Sequence, residues 1–180
     1  MPSRILVLGD FHMPERAKQI PQIIWDFVSK QEFDSILCTG DLTSESALIQ
    51  LTHLGPVKAV RGNMDYLDLP DHQTITIDDV RIGMTHGHVV YPRGNLKQLF
   101  SIARNMNVDV LVTGHTHSEF CKKIENTVIL NPGSCTGAWG GGNYSGVPSF
   151  IMLEILEEKR LRIELYQLIG EKLKETSYVY

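Results

Sequence analysis

The chain has 180 residues, of which 42% are hydrophobic and 21% are charged, and its formal net charge at pH 7 is -4. This length and composition predict a single globular, soluble domain over residues 1–180. The sequence pI near 6.0 argues against a nucleic-acid-binding surface, which is normally basic, so no direct nucleic-acid binding is expected. No apolar stretch is long enough to cross a bilayer, so we expect no membrane insertion.

The cysteine content indicates a reducing compartment. Cys38, Cys121 and Cys135 form an odd count without close pairing, which favours free thiols over a disulfide framework. Residues 1–9 lack the apolar stretch and the small-residue cleavage site of a secretory signal. We therefore expect a cytoplasmic protein in which all three thiols are packed or inactive.

The first half of the chain alternates apolar runs with helical patterns. Strands are predicted at 5–8, 36–38 and 57–60, and helices at 20–28 and 47–54. Thr43 or Ser44 is the candidate N-cap of the second helix. This βαβ rhythm predicts parallel strands.

From residue 74 onward the apolar period changes to two. Strands are predicted at 74–77, 80–86, 108–113, 120–124, 127–130, 149–155 and 160–168, with a helix at 96–106. The glycine-rich stretch 137–146 predicts a mobile loop. Early βα units followed by mostly antiparallel strands predict an α/β fold, a four-layer αββα sandwich of two mixed sheets flanked by helices.

Five short polar motifs each follow a predicted strand. They are Asp10-Phe11-His12, Gly40-Asp41, Gly62-Asn63, His86-Gly87-His88 and Gly114-His115-Thr116-His117. Open α/β sheets place their ligands at the ends of strands, so we expect these side chains to meet in one pocket. The combination of carboxylates, an amide and imidazoles predicts two divalent transition-metal ions, manganese or zinc, with iron also compatible. Asp41 is the candidate bridge, because a carboxylate can offer one oxygen to each of two neighbouring ions.

A single His or Asp at a strand end is more often a hydrogen-bonded turn residue than a metal ligand. We prefer that interpretation for His53 and His72, which lie outside the motifs. For His88 two interpretations stay open, since its ring can line the pocket or cap the turn after Gly87. For the remaining set the metal-site interpretation is preferred. That set is Asp10, His12, Asp41, Asn63, His86, His115 and His117.

The five motifs resemble those of the calcineurin-like metallophosphoesterases, which run Asp-x-His, Gly-Asp, Gly-Asn, His and Gly-His-x-His. The resemblance implies the four-layer fold and hydrolysis of phosphodiesters by a hydroxide that bridges the two ions. We take Asp41, Asn63 and His88 as the candidate catalytic residues. By matched position, the resemblance implies that Asp10, His12 and His117 hold one ion and Asn63, His86 and His115 the other, with Asp41 between the ions.

Over nearly the whole chain the sequence is more specifically similar to the vacuolar protein sorting 29 subunits of retromer, and then to small archaeal and bacterial phosphodiesterases. The segments that carry the first similarity are 7–10, 36–40, 86–88, 131–134, 136–138, 148–150 and 166–170. This similarity implies a non-catalytic alternative, a scaffold that docks on an α-solenoid partner and lies peripherally on endosomal membranes. The loop Val89-Val90-Tyr91 is the candidate contact, although its side chains can instead pack into the fold.

Two departures from the family pattern point in opposite directions. Retromer subunits typically carry Asn at the position of Asp41 and Asp at the position of Asn63, so this chain has the residues of active enzymes. Active members often carry a His after the Asn to protonate the leaving group, and this chain has Met64 there. General acid catalysis is worth about 10²–10⁴ in rate. We therefore expect weak phosphodiester hydrolysis that depends on a good leaving group.

Overall fold

Eleven strands in two sheets carry the architecture of the computed structural model, which describes residues 2–141 and 146–180. The strands are β1 (Ser3–Leu8), β2 (Ser35–Cys38), β3 (Val57–Ala59), β4 (His72–Ile77), β5 (Val80–Thr85), β6 (Val110–Val112), β7 (Phe120–Ile124), β8 (Thr127–Asn131), β9 (Ser149–Ile155), β10 (Leu161–Ile169) and β11 (Lys172–Val179). The helices are α1 (Gln22–Val28), α2 (Glu45–Thr52) and α3 (Leu96–Met106).

The first sheet has the strand order β11-β10-β9-β1-β2-β3. Strand β1 pairs parallel with β2, and β2 pairs parallel with β3, so the predicted βαβ rhythm is confirmed. Ser44 caps α2, since its hydroxyl oxygen accepts a hydrogen bond from the backbone N–H of Ala47 at 3.3 Å. The parallel pairing brings the ends of β1, β2 and β3 to the same edge.

The second sheet has the strand order β4-β5-β6-β8-β7. The predicted hairpin at Asp78-Asp79 is confirmed, and both residues adopt positive φ, at 46° and 63°, as a two-residue hairpin turn requires. Strand β6 pairs parallel with both of its neighbours, β5 and β8. The ends of β5 and β6 therefore lie together, as in the first sheet.

Three buried apolar clusters separate the layers. The central cluster lies between the sheets and includes Ile5 of the first sheet and Ile82 of the second. A second cluster packs α1 and α2 against the first sheet, and a third packs α3 against the second sheet. The predicted four-layer sandwich of two mixed sheets flanked by helices is confirmed.

The predictions missed one strand, and one predicted loop lies partly outside the described residues. Strand β11 was not predicted, because most of its residues are exposed and polar and show no sustained apolar alternation. Within the predicted loop 137–146, residues 142–145 lie outside the described residues.

Cys38, Cys121 and Cys135 are buried free thiols. In the described part of the chain, we find no helix with the length and apolarity needed to cross a membrane.

Candidate metal centre

The sheet edges place the predicted site residues in one region. Asp10 and His12 follow β1, Asp41 follows β2 and Asn63 follows β3. From the second sheet, His86 follows β5, and His115 and His117 follow β6. The side chains form two adjacent groups in which the potential ligand atoms lie within 4.8 Å of one another. We call Asp10, His12 and His117 the inner group, and Asp41, His86 and His115 the outer group.

The backbone at these positions is in a conformation that most residues avoid. Asp10, His12, Asp41, His115 and His117 all have φ between 47° and 69°. Left-handed backbone of this kind costs free energy for a non-glycine residue, and it concentrates at functional sites, where the surrounding structure enforces it. The sharp turns let side chains that are close in sequence, such as His115 and His117, belong to different groups.

The inner group is buried and lacks donors for one carboxylate oxygen. The Nε2 atom of His117 lies 3.5 Å from Asp10 Oδ1 and 3.2 Å from Nε2 of His12. Asp10 Oδ2 accepts a hydrogen bond from the backbone N–H of His115 at 3.0 Å. Among the described residues, Asp10 Oδ1 and His12 Nδ1 have no hydrogen-bond partner although both are buried. A buried carboxylate oxygen that faces imidazole nitrogens fits a cation.

The outer group brings several acceptors to one ring nitrogen. The Nδ1 atom of His86 donates to the carbonyl of Thr39 at 2.8 Å, which leaves Nε2 to face the site. Nε2 lies 3.3 Å from Asp41 Oδ2 and 3.1 Å from Asn63 Oδ1. Only a proton or a cation can occupy a point that these acceptors share. The residues present therefore fit a metal ion here as well.

Asp41 lies between the two groups. Its Oδ2 atom is 3.4 Å from Nε2 of His12 in the inner group and 3.3 Å from Nε2 of His86 in the outer group. Its Oδ1 atom accepts a hydrogen bond from the backbone N–H of Met64 at 2.8 Å, which fixes the carboxylate plane. The position is the one that a bridging carboxylate would need, although the ligand assignment itself stays a prediction.

The pKa values of the ionisable side chains in the site are strongly shifted. Burial raises the pKa of Asp10 to about 6 and lowers the pKa of His12 and of His115 to about 4. Burial also disfavours charge on His86, but its interaction with Asp41 and the charge of Asp10 outweigh this and raise its pKa to about 9. Burial is likewise outweighed at Asp41, where His86 holds the pKa at about 2. The two buried carboxylates thus attract positive charge to the site.

One residue that the sequence analysis did not single out, Asp65, holds the backbone around the candidate ligand Asp41. The carboxylate of Asp65 accepts hydrogen bonds from the backbone N–H groups of Asp41 at 2.8 Å, Thr43 at 2.9 Å and Gly62 at 2.8 Å. A methyl group on Gly62 would collide with the Asp41 carboxylate, which explains the glycine in that motif. An acidic residue two positions after Asn63, in a turn, was the available signal for Asp65.

The site opens into a cavity of about 200 Å³ that both groups help to line. Asn63 is exposed at its edge, and Met64 lines it with 41% of its surface exposed. The lining does not include His88, whose exposed ring lies 5.6 Å from that of His86 and 6.3 Å from that of His115, between centroids. His88 therefore lies beside the outer group, outside the cavity, and its role stays a prediction.

The predicted docking loop is only partly exposed. Val89 and Tyr91 expose 71% and 83% of their surfaces, whereas Val90 is 3% exposed and packs in the cluster beneath α3. Gln98 of α3 holds the loop, since it donates to the carbonyl of Tyr91 at 2.6 Å and accepts from its backbone N–H at 3.2 Å. Two of the three side chains of the loop are thus exposed.

Comparisons with known proteins agree with this geometry. Residues 4–158 match the model of the calcineurin-like phosphoesterase superfamily domain. A protein of Methanocaldococcus jannaschii named a probable metallophosphoesterase is 43% identical over 130 residues, which span 72% of this chain and 67% of that protein. The structure of vacuolar protein sorting 29 from Cryptosporidium parvum has a TM-score of 0.94 at 26% identity, covering 99% of this chain and 98% of that chain.

Another similar solved structure is that of a protein complexed with a metal ion. Wild-type Vps29 from Entamoeba histolytica complexed with Zn²⁺ has a TM-score of 0.90 at 35% identity and covers 98% of both chains. The fold, the two candidate ligand groups and the relatives together define a metallophosphoesterase-type hydrolase. The chain belongs to the calcineurin-like phosphoesterase superfamily, and the similarity to vacuolar protein sorting 29 is confirmed. Membership in this superfamily implies divalent metal ions.

Proposed function

We propose that this protein is a two-metal phosphodiesterase. The observation that carries the proposal is the position of Asp41, whose Oδ2 atom lies 3.4 Å and 3.3 Å from imidazole nitrogens of the inner and outer groups. In this proposal Asp10, His12 and His117 hold one manganese, zinc or iron ion and Asn63, His86 and His115 hold the other, with Asp41 shared. Bound ions would supply Lewis acids for the phosphoryl oxygens and lower the pKa of coordinated water.

The chain's own residues supply positioning. The carbonyls of Thr39 and Ala138 accept from Nδ1 of His86 and His117, so both rings present Nε2 to the site in a fixed orientation. Asn63 is exposed beside His86, where its amide can contact an oxygen of the phosphate. Met64 lines the cavity and has no proton to donate. The proposal therefore predicts slow hydrolysis of diesters whose leaving groups are poor.

The test combines metal analysis with an activity assay. The purified protein is loaded with manganese or with zinc, its metal content is measured, and hydrolysis of bis(p-nitrophenyl) phosphate is compared with that of p-nitrophenyl phosphate. Asp41→Ala should lose metal and activity together, while Asp68→Ala, which removes an exposed carboxylate from the loop that follows Asn63, should change neither. Full activity in Asp41→Ala, or no hydrolysis by the metal-loaded protein, would refute the proposal.

A second candidate function is scaffolding of the retromer type. The exposed side chains of Val89 and Tyr91, in a loop whose backbone Gln98 holds at Tyr91, favour it. The partner proposed is a helical-repeat protein, and such a complex would place this chain in the cytoplasm, peripherally on endosomal membranes.

This scaffold hypothesis predicts co-purification with a large helical-repeat protein, lost in Tyr91→Asp. Tyr66→Asp is the matched control, because Tyr66 is also an exposed tyrosine, at 74% of its surface. A protein that purifies alone from its native source, or a complex that survives Tyr91→Asp, would count against scaffolding through this loop. Both functions can be carried by one molecule, because the loop lies outside the lining of the cavity.

A further inference from the structure

One wall of the cavity is a short segment that touches the inner group. This rim segment consists of Ala138, Trp139, Gly140 and Gly141, of which the last three line the cavity. The carbonyl of Ala138 accepts a hydrogen bond from Nδ1 of His117 at 2.7 Å. A methyl group on Gly140 would lie 2.8 Å from Cγ of His117, so this close approach requires glycine. The rim segment is thus placed directly against a candidate metal ligand.

Two arginines from different loops hold the rim segment. Arg16 donates from Nη1 to the carbonyl of Trp139 at 2.8 Å, and Arg93 donates from Nη1 to the carbonyl of Gly140. The guanidinium carbon of Arg16 also lies 5.9 Å from the centre of the Trp139 ring, within range of a cation–π interaction. Both arginines line the cavity, so they place positive charge beside any anion that enters.

Trp139 is fixed in place and still exposed. It keeps 55% of its surface accessible while its backbone and its ring both contact Arg16. A tryptophan held in this way offers a flat apolar surface at little further cost in conformational entropy. A ligand that covers this apolar surface removes it from water, which stabilises the complex.

The size of the cavity decides which part of a substrate this surface meets. At about 200 Å³ the cavity is smaller than the roughly 300–1,000 Å³ of sites that enclose a drug-sized ligand. It can therefore enclose the phosphate but not both ester groups of a diester. An ester group must project over the edge, where the half-exposed Trp139 offers its indole ring.

We propose that Trp139 selects phosphodiesters in which the ester group that stays on phosphorus is flat and aromatic, an aryl group or a nucleoside, while Arg16 and Arg93 hold the rim segment beside the phosphate. This inference rests on the proposed phosphodiesterase function and adds its substrate class. The aromatic group would stack on the indole ring, and the leaving group would occupy the other side of the phosphate.

The experiment uses three diesters that share the same leaving group, the p-nitrophenyl esters of methyl phosphate, phenyl phosphate and thymidine 5'-phosphate. In each, water attacks phosphorus and gives up one proton to solvent, the P–O bond to the nitrophenyl group breaks, and the products are p-nitrophenolate and a phosphate monoester. Base–aromatic stacking predicts a kcat/KM about tenfold higher for the aromatic esters than for the methyl ester. A preference for thymidine over phenyl identifies a nucleoside substrate, and the reverse identifies an aryl substrate.

Substitution of the ring gives the decisive comparison. Trp139→Ala should remove most of the advantage of the aromatic esters over the methyl ester, whereas Trp139→Phe should restore part of that advantage. Tyr66→Ala removes another exposed aromatic ring that does not line the cavity, and it should leave all three rates unchanged. Metal content is measured for each variant, so that a disturbed His117 is distinguished from a lost stacking surface.

The outcomes separate this inference from the proposed function. Hydrolysis of all three esters at equal kcat/KM, or an equal loss on all three in Trp139→Ala, would overturn the inference and leave the phosphodiesterase standing. No hydrolysis of any ester would overturn the phosphodiesterase and the inference with it.

A binding measurement gives a readout that does not depend on turnover. The chain has two tryptophans, so in Trp25→Phe the fluorescence reports on Trp139 alone. Thymidine 5'-phosphate should quench this fluorescence at concentrations where methyl phosphate does not. Equal quenching by both phosphates, or by neither, would overturn the inference.

Discussion

The inner and outer groups are adjacent, with Asp41 between them, but they differ in their access to solvent. All three side chains of the inner group are buried, and the rim segment covers His117 from outside. In the outer group His115 is only partly buried, and Asn63 and His88 are exposed next to it. A closed set of ligands suits an ion that stays bound, and an open set suits an ion that exchanges water for substrate. We therefore expect the two positions to differ in affinity.

Removal of one histidine from each group tests this difference most strongly. After loading with excess manganese, His115→Ala should retain about one ion per chain, whereas His117→Ala should lose the tightly held ion. Both variants should lose more activity than the roughly 10–100-fold typical of residues that only orient ligands. The measurements are metal content after gel filtration and hydrolysis of bis(p-nitrophenyl) phosphate. Equal retention by the two variants would mean that the groups are equivalent.

The next largest effect is expected at Asp65, which holds the backbone around Asp41. Asp65→Ala removes the acceptor of three backbone N–H groups and should lower the free energy of unfolding by about 2–4 kcal/mol. It should also weaken metal binding by moving Asp41. Thermal unfolding with and without manganese measures both effects, with Asp68→Ala as the control. An unchanged melting temperature would show that water replaces the carboxylate without cost.

The buried carboxylate of the inner group should destabilise the metal-free fold at high pH. Folding raises the pKa of Asp10 from 3.8 to about 6, so its contribution to stability is present when the group is protonated and is lost as the pH rises through 6. At pH 8, Asp10→Asn should therefore raise the free energy of unfolding of the metal-free protein by about 1–3 kcal/mol. The gain should disappear toward pH 4, and it should be reversed by metal, which only the wild type binds tightly. Denaturant unfolding in a chelator at both pH values provides the test.

The smallest effect is expected for His88, which lies beside the outer group and outside the cavity. His88→Ala should leave the metal content unchanged and lower activity by less than the 10²-fold at the lower end of general acid catalysis. A larger loss with full metal content would identify His88 as a catalytic residue that moves toward the substrate.

The sequence predicted the elements of the fold that depend on pattern. Apolar periodicity located the strands and helices of both sheets, and the polar motifs at strand ends located the two groups. Strand β11 escaped because an exposed polar edge strand carries little periodic signal. The difference between Val89 and Val90 also escaped, since burial of a single loop residue depends on the position of α3 and not on local sequence.

The supporting contacts of the site were beyond sequence reasoning for a different reason. The backbone carbonyls of Thr39 and Ala138 orient His86 and His117. Every residue has a backbone carbonyl, so the residue type at these positions gives no signal of the contact. Asp65 acts on backbone N–H groups up to 24 positions away. Contacts of this kind become visible only when the loops are folded together.

The candidate ligands are divided between the two sheets, and this division has a mechanical consequence. Asp10, His12, Asp41 and Asn63 extend from the first sheet, while His86, His115 and His117 extend from the second. Cations held among them would act as a cross-brace that ties the open edge of the sandwich. Separation of the sheets at that edge would then require release of the ions, so that metal affinity would be converted into rigidity of the whole framework.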